Sequence, residues 1–263
     1  MSFTRDGIAF AIADGIGRIT LDRPEVGNAI DVPMARALFE AALMCEVDAS
    51  VRAVVLTGNG RLFCAGGDVG AMKKAGDGLS AALAELIGIF HAAVQRLAAM
   101  PKPLLVLVNG PAAGAGLSLA VLGDVVLSAR SAHYAAAYGA IGLTADGGLS
   151  WLLPRLVGLR KAQEMILTNR RLSAAEAEAS GLVTRSVEDA DLAGEGEAVA
   201  AKLAAAPVAA FGAARALLRE SFETGFETQL DRELRSMTMA AGVEAREGLA
   251  AFFEKRPPNF RGD

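Results

Sequence analysis

The chain of 263 residues holds only two cysteines, two histidines, one tryptophan and two tyrosines. Cys45 and Cys64 cannot supply the multi-cysteine spacing of a stapled secreted domain or a structural zinc site, so both are expected as reduced thiols. His91 and His133 are isolated in sequence, with no H-E-x-x-H and no carboxylate-histidine cluster, so no metal is expected. Positive charge is not in excess: 26 Lys and Arg face 30 Asp and Glu, a net charge of -4, with no basic stripe. Nucleic acid is therefore not expected as a partner. No uninterrupted apolar run is read as long enough for a bilayer, and the opening Met1-Ser2-Phe3-Thr4-Arg5-Asp6 has no apolar leader core. These absences predict a soluble, cytoplasmic protein with no membrane partner. The 52% of hydrophobic residues suffice for a large globular core.

Along the chain, residues 8–12 and 16–21 alternate as hairpin strands do around the Asp14-Gly15 turn. Asp31 is placed to cap a helix with Pro33 in its first turn, and Leu38, Ala42, Leu43 and Val47 are read as its buried face, ending near Asp48. A strand over 51–57 follows. Leu79, Leu83, Leu86, Ile87, Phe90, Val94 and Leu97 recur at helical spacing until Pro101 and Pro103, after which 104–108 reads as a buried strand. Residues 117–122 are apolar on every side, which predicts a short buried helix, and 125–127 another strand. Ser173-Ala174-Ala175-Glu176 fits a capping box opening a short helix that ends at Gly181, with a closing strand over 182–187. Beyond Glu188 the pattern is helical, divided at Pro207 and stopped at Pro257-Pro258. The reading is a mixed α/β core of repeated ββα units with a helical tail.

Two glycine-rich turns, Cys64-Ala65-Gly66-Gly67-Asp68 and Asn109 through Gly116, each follow a β-branched run and lead into an apolar helix. Small residues at such turns leave backbone N-H groups uncovered and admit a ligand close to the main chain. Two such turns can aim two donors at one oxygen and stabilise it as it gains negative charge. Asp68 is read as the cap of the helix that follows its turn. Cys64 borders the turn but has no neighbouring histidine, and is read as a small buried filler.

These residues resemble the enoyl-CoA hydratase/isomerase, or crotonase, family over nearly the whole chain. The markers are Leu21-Asp22-Arg23-Pro24-Glu25 with Asn28-Ala29-Ile30, the two glycine-rich turns, Trp151-Leu152-Leu153-Pro154-Arg155, and the ending Phe252-Phe253-Glu254-Lys255-Arg256-Pro257. The resemblance implies a spiral of ββα units over 1–195 holding an acyl-CoA site, and a helical trimerisation region over 196–263. It implies a homotrimer or a hexamer built as a dimer of trimers, with an acyl-CoA thioester as substrate; coenzyme A is then part of the substrate, and no separate cofactor is called for.

Carried over by motif, the N-H groups of Gly67 and Ala115 form the oxyanion hole, with Ala115 standing where the family usually has glycine. The two glutamates that serve hydration in the family are replaced by Ser118 and Tyr138. A phenol with an ordinary pKa near ~10 is a poor base at neutral pH. Asp146, in Gly142-Leu143-Thr144-Ala145-Asp146-Gly147-Gly148, matches the acidic turn of the family's double-bond isomerases, although Ala145 replaces the usual proline. By composition alone Asp146-Gly147-Gly148 reads as a plain turn. The resemblance makes Asp146 the proton shuttle, and adds Arg23, Ala65, Gly66, Asp68, Gly114, Tyr138, Trp151 and Lys255 as substrate contacts. Tyr138 and Trp151 either line the acyl pocket or pack as core aromatics; Lys255 either reaches the CoA phosphates or is a solvated lysine at a helix end. The expected activity is enoyl-CoA isomerisation. The alternatives are a hydratase with unusual acid-base residues and, from another class, a non-catalytic RNA-binding relative.

Overall fold

The computed structural model describes residues 1–261. Strands β1 (Ser2–Arg5), β2 (Ile8–Ala13) and β3 (Ile16–Leu21) form an antiparallel meander whose β1 has no counterpart in the sequence reading. Helix α1 (Val32–Val47) starts where expected, the Asp31 carboxylate accepting the Met34 N-H at 2.9 Å with proline in the first turn. Its buried face differs from the expected one. Leu38 and Ala42 are inside, but Leu43 is 37% and Val47 70% exposed, and Met34, Ala35, Ala41 and Cys45 complete the stripe. Small residues win these places because they let the helix seat closely: Cys45 Sγ comes against Gly17 of β3.

Strand β4 (Ala53–Gly58), helices α2 (Val69–Ala75) and α3 (Leu79–Ala99), and strand β5 (Leu104–Val108) follow. Next come β6 (Ala112–Ala113), α4 (Ala115–Ala120), β7 (Val125–Ala129), β8 (His133–Ala135), α5 (Leu149–Val157) and α6 (Leu159–Thr168). Strand β9 (Leu172–Ser173) leads into α7 (Ala174–Ala179), which carries the expected capping box, and β10 (Arg185–Val187) closes the core. The large sheet runs β1-β2-β3-β4-β5-β7-β10, parallel from β3 onward, and β6-β8-β9 make a second, small sheet. This is the expected α/β spiral with helices after it. Parallel strands need cover on both faces, and β5, Leu-Leu-Val-Leu-Val, is buried throughout. Helix α1 packs on β2, β3 and α3.

The C-terminal helices are α8 (Leu192–Ala205), α9 (Val208–Glu220), α10 (Phe226–Met239) and α11 (Val243–Glu254). The boundary expected at 195/196 falls inside α8, and that helix belongs to the core: it packs on β3, β4, β5 and β7, with Gly196 against Leu107. A second correction concerns apolar length. The helical segment Val69–Ala99 contains an 18-residue stretch of mean hydropathy at least 1.2, long and apolar enough to cross a membrane by length and composition. In the fold, Phe90, Ala93, Val94 and Leu97 of α3 are buried.

Strands β4 and β5 are parallel, with Thr57 opposite Leu107, so the glycine-rich turns that follow them leave from the same edge of the sheet. Carboxyl ends of parallel strands are where ligands bind in such sheets. An isolated parallel bridge joins Cys64 to Ala112, the Ala113 N-H donating to the Cys64 carbonyl at 2.9 Å. Gly116 permits this approach, since a Cβ there would fall on the Cys64 carbonyl oxygen and side chain. Gly116→Ala is therefore expected to destabilise the fold by about 1–3 kcal/mol through overpacking, measured as a lowered denaturant midpoint; an unchanged midpoint would contradict the close approach.

Candidate active site

Asn28 shapes the first turn from beneath. It is wholly buried; its amide donates to the carbonyls of Asn59 and Leu62 at 2.9 Å and of Phe63 at 3.1 Å, and its oxygen accepts the Arg23 N-H at 2.8 Å. Arg23 then braces the turn. Its guanidinium donates to the Ala29 carbonyl at 2.7 Å and pairs with Asp31 at 2.9 Å and Asp68 at 3.5 Å. Asp68 caps α2, accepting from the Ala71 N-H at 3.0 Å. Gly66 adopts φ +103°, a conformation L side chains rarely adopt, and a Cβ there would also meet the Ala113 carbonyl at 2.9 Å and the Ala115 nitrogen at 3.4 Å.

With the turns thus pressed together, the N-H groups of Gly67 and Ala115 have no protein acceptor among the described residues. Gly67 leads into α2, and Ala115 is the first residue of α4, where backbone donors are left over by the helix. Both line one cavity of about 430 Å³ with Ala65, Gly66, Gly114, Tyr138 and Asp146. Its far wall is apolar, made by Met72 of α2 and Leu83, Leu86, Ile87 and Phe90 of α3. Asp146 is the only carboxylate among the described lining residues.

The Asp146 side chain is held by its neighbours. The Tyr138 hydroxyl donates to Asp146 Oδ1 at 2.6 Å, and Ser118 Oγ donates to the Asp146 carbonyl at 3.0 Å. Ser118 Oγ also lies 3.1 Å from the Tyr138 hydroxyl; with the phenol proton engaged by Asp146, the one serine proton is shared between the Asp146 carbonyl and the phenol oxygen. Burial first, and then the Asp146 charge, push the Tyr138 phenol above its ordinary range. Tyr138 therefore keeps its proton at neutral pH and serves as a hydrogen-bond donor to Asp146, not as a base.

Several expected contacts stand elsewhere. Trp151 is outside this cavity: it borders a separate cleft, with the Arg155 guanidinium 3.9 Å over its ring and Phe222 packed edge-on at 6.2 Å. Lys255 ends α11, exposed, and is not a lining residue. Arg23 and Asp68 build the turn without lining the cavity. Conversely, His91 is not isolated. It accepts the Gly147 N-H at Nε2 at 3.0 Å, beside the acid. The apolar stripe of α3 could have pointed to the cavity wall, but nothing local in sequence joins His91 to a residue 56 positions later. Among the described residues no group of three or more His, Cys, Asp or Glu is gathered to hold a metal.

A cavity with two uncommitted amide donors beside an oriented carboxylate can stabilise an oxyanion while a proton moves. Comparison with known proteins agrees in class. Residues 11–263 match the family described as enoyl-CoA hydratase/isomerase. A Rhodobacter capsulatus protein named "Probable enoyl-CoA hydratase" is 40% identical over 97% of this chain and 98% of its own length. The 1,2-epoxyphenylacetyl-CoA isomerase of Escherichia coli is 38% identical over 95% and 97%. The crystal structure of an enoyl-CoA hydratase from Polaromonas sp. JS666 superimposes with a TM-score of 0.92 at 31% identity, covering 97% of this chain and 99% of that one. The chain belongs to the enoyl-CoA hydratase/isomerase family and is an enzyme of that class.

Proline is tolerated at the first position of a helix, so Ala115→Pro is expected to remove one donor while keeping the thermal midpoint, and to cost about 2.7–4 kcal/mol of transition-state stabilisation, about 10²–10³ in kcat. Undiminished kcat would contradict the placement. Burial pushes the Cys64 and Cys45 thiols up from 9.0 to about 12. Both should resist a thiol reagent at pH 8 in the folded protein and react once it is unfolded. The folded thiols stay protonated where unfolded ones ionise, so their contribution to stability is complete below pH 9 and is lost as the pH rises toward 12.

Proposed function

We propose that this enzyme is an acyl-CoA double-bond isomerase in which Gly67 and Ala115 hold the thioester oxygen and Asp146 moves the proton. The observation that carries the reading is the single carboxylate among the described lining residues: Asp146 lines the cavity with both amides, while the family resemblance sets Ser118 and Tyr138 at the positions of the two hydratase glutamates. With a 3-enoyl thioester, Asp146 takes a proton from C2, and the electron pair moves onto the thioester oxygen held by the two N-H groups. The enolate collapses as Asp146 returns the proton to C4. One C-H bond breaks and one forms, the double bond moves from C3=C4 to C2=C3, and no water or further cofactor enters. Tyr138 holds Oδ1, leaving Oδ2 for the substrate.

The name of the Escherichia coli relative favours isomerase chemistry, and that of the Rhodobacter capsulatus relative favours hydration as the second reading. The proposed assembly is a homotrimer or a dimer of trimers, supported by exposed apolar side chains along α10 and α11, among them Phe226, Leu234, Met237, Phe252 and Phe253.

The test offers the protein 2-enoyl- and 3-enoyl-CoA and separates shifted alkene from 3-hydroxyacyl-CoA by chromatography. Shifted alkene is expected to dominate, with Asp146→Asn lowering its rate by about 10²–10⁴. Rapid hydration that survives Asp146→Asn would overturn the assignment.

A further inference from the structure

The segment that carries Asp146 is gripped at three places, and only one of the gripping groups, Tyr138, lines the cavity. Tyr138 donates to the carboxylate and Ser118 to the Asp146 carbonyl. The third grip comes from behind: His91 Nε2 on α3 accepts the Gly147 N-H at 3.0 Å. The segment also lies directly against α3, since a Cβ at Gly147 would stand 2.7 Å from Phe90 Cε1 and 2.8 Å from Ser118 Cβ. His91 does not line the acyl cavity, so it does not touch the reacting carbons there. As an acceptor, Nε2 carries no proton, which fixes the neutral ring with its hydrogen on Nδ1.

We infer that His91 is a positioning residue for the isomerisation: its Nε2 ties the Gly147 amide to α3 and so fixes the Asp146 carboxylate over the substrate carbons. The inference rests on the role of Asp146 argued above. Without the acceptor the Gly147 N-H is left unmatched against an apolar helix face, and the peptide unit is free to turn away. The carboxylate adjoins that peptide unit, so a displacement of about 1 Å there is enough to lower the chemical rate about 100-fold. Binding of the thioester, held at Gly67 and Ala115, does not depend on it.

Three substitutions of the full-length enzyme separate positioning from bulk. His91→Phe keeps a ring without an acceptor, His91→Ala removes both, and His91→Gln returns a neutral oxygen at about the reach of Nε2. Kinetics on 3-enoyl-CoA are measured beside thermal midpoints and amide exchange of the Gly147 N-H by NMR. Expected is a fall in kcat of about 100-fold for Phe and Ala with KM within about two-fold, faster Gly147 exchange in both, and recovery of rate and protection in Gln. Wild-type kcat in His91→Phe, or a loss that Gln does not repair, overturns the inference. Asp146→Asn run in parallel keeps the two readings apart. If Asp146→Asn is fully active, the role of Asp146 fails; if it is inactive while His91→Phe is not, only the role of His91 fails. Should the wild type turn over neither ester, the activity reading fails, and unchanged Gly147 exchange in His91→Phe would still overturn the tether.

Discussion

The structure depends on the close seating of two turns that are distant in sequence. The Cys64–Ala112 bridge brings the turn after β4 against the turn after β5, and the absence of side chains at Gly66 and Gly116 is what lets main chain meet main chain. Two amide donors, those of Gly67 and Ala115, are left without protein partners among the described residues as a result. Buried N-H groups are nearly always bonded, so a pair of uncommitted ones facing a cavity is a costly arrangement that a ligand oxygen relieves. The supports around it are correspondingly rigid: a wholly buried Asn28 ties down three carbonyls beneath the first turn, and Arg23 ties Asp31, the cap of α1, to Asp68, the cap of α2.

The acid side of the site is built differently. Asp146 stands in a segment without regular structure, so its position is set by side chains from three elements rather than by a helix or strand. Ser118 comes from α4, the helix that also presents the Ala115 amide. The Ala115 amide and the Asp146 segment are thereby coupled through one short buried helix. Tyr138 bonds the Asp146 carboxylate and Ser118 its carbonyl, so together they orient the one carboxylate among the described residues that line the cavity.

Much of this was legible in the sequence because it is local. The Asp31 cap, the capping box at Ser173, the buried strand β5 and the all-apolar α4 are each set by residues within a few positions of one another. The two glycine-rich turns were visible, and family resemblance joined them. What periodicity missed were choices made by neighbours far along the chain. Leu43 and Val47 have the right spacing but lose the interior of α1 to smaller Ala41 and Cys45. Trp151 packs with Arg155 and with Phe222, which arrives from beyond α9. His91 meets Gly147 only because the fold lays the acid segment on α3. The division at 195/196 failed for the same reason, since a helical pattern does not say which sheet it covers.

The central claim is that one carbonyl oxygen is received by two amides with a carboxylate above the adjoining carbons. A crystal structure of the enzyme with a bound, unreactive acyl-CoA analogue tests it most directly. The account predicts the thioester oxygen within about 2.7–3.1 Å of both the Gly67 and Ala115 nitrogens, with Asp146 Oδ2 facing C2 and C4. A thioester oxygen bonded to neither nitrogen, or an acyl chain lying away from Asp146, would contradict it.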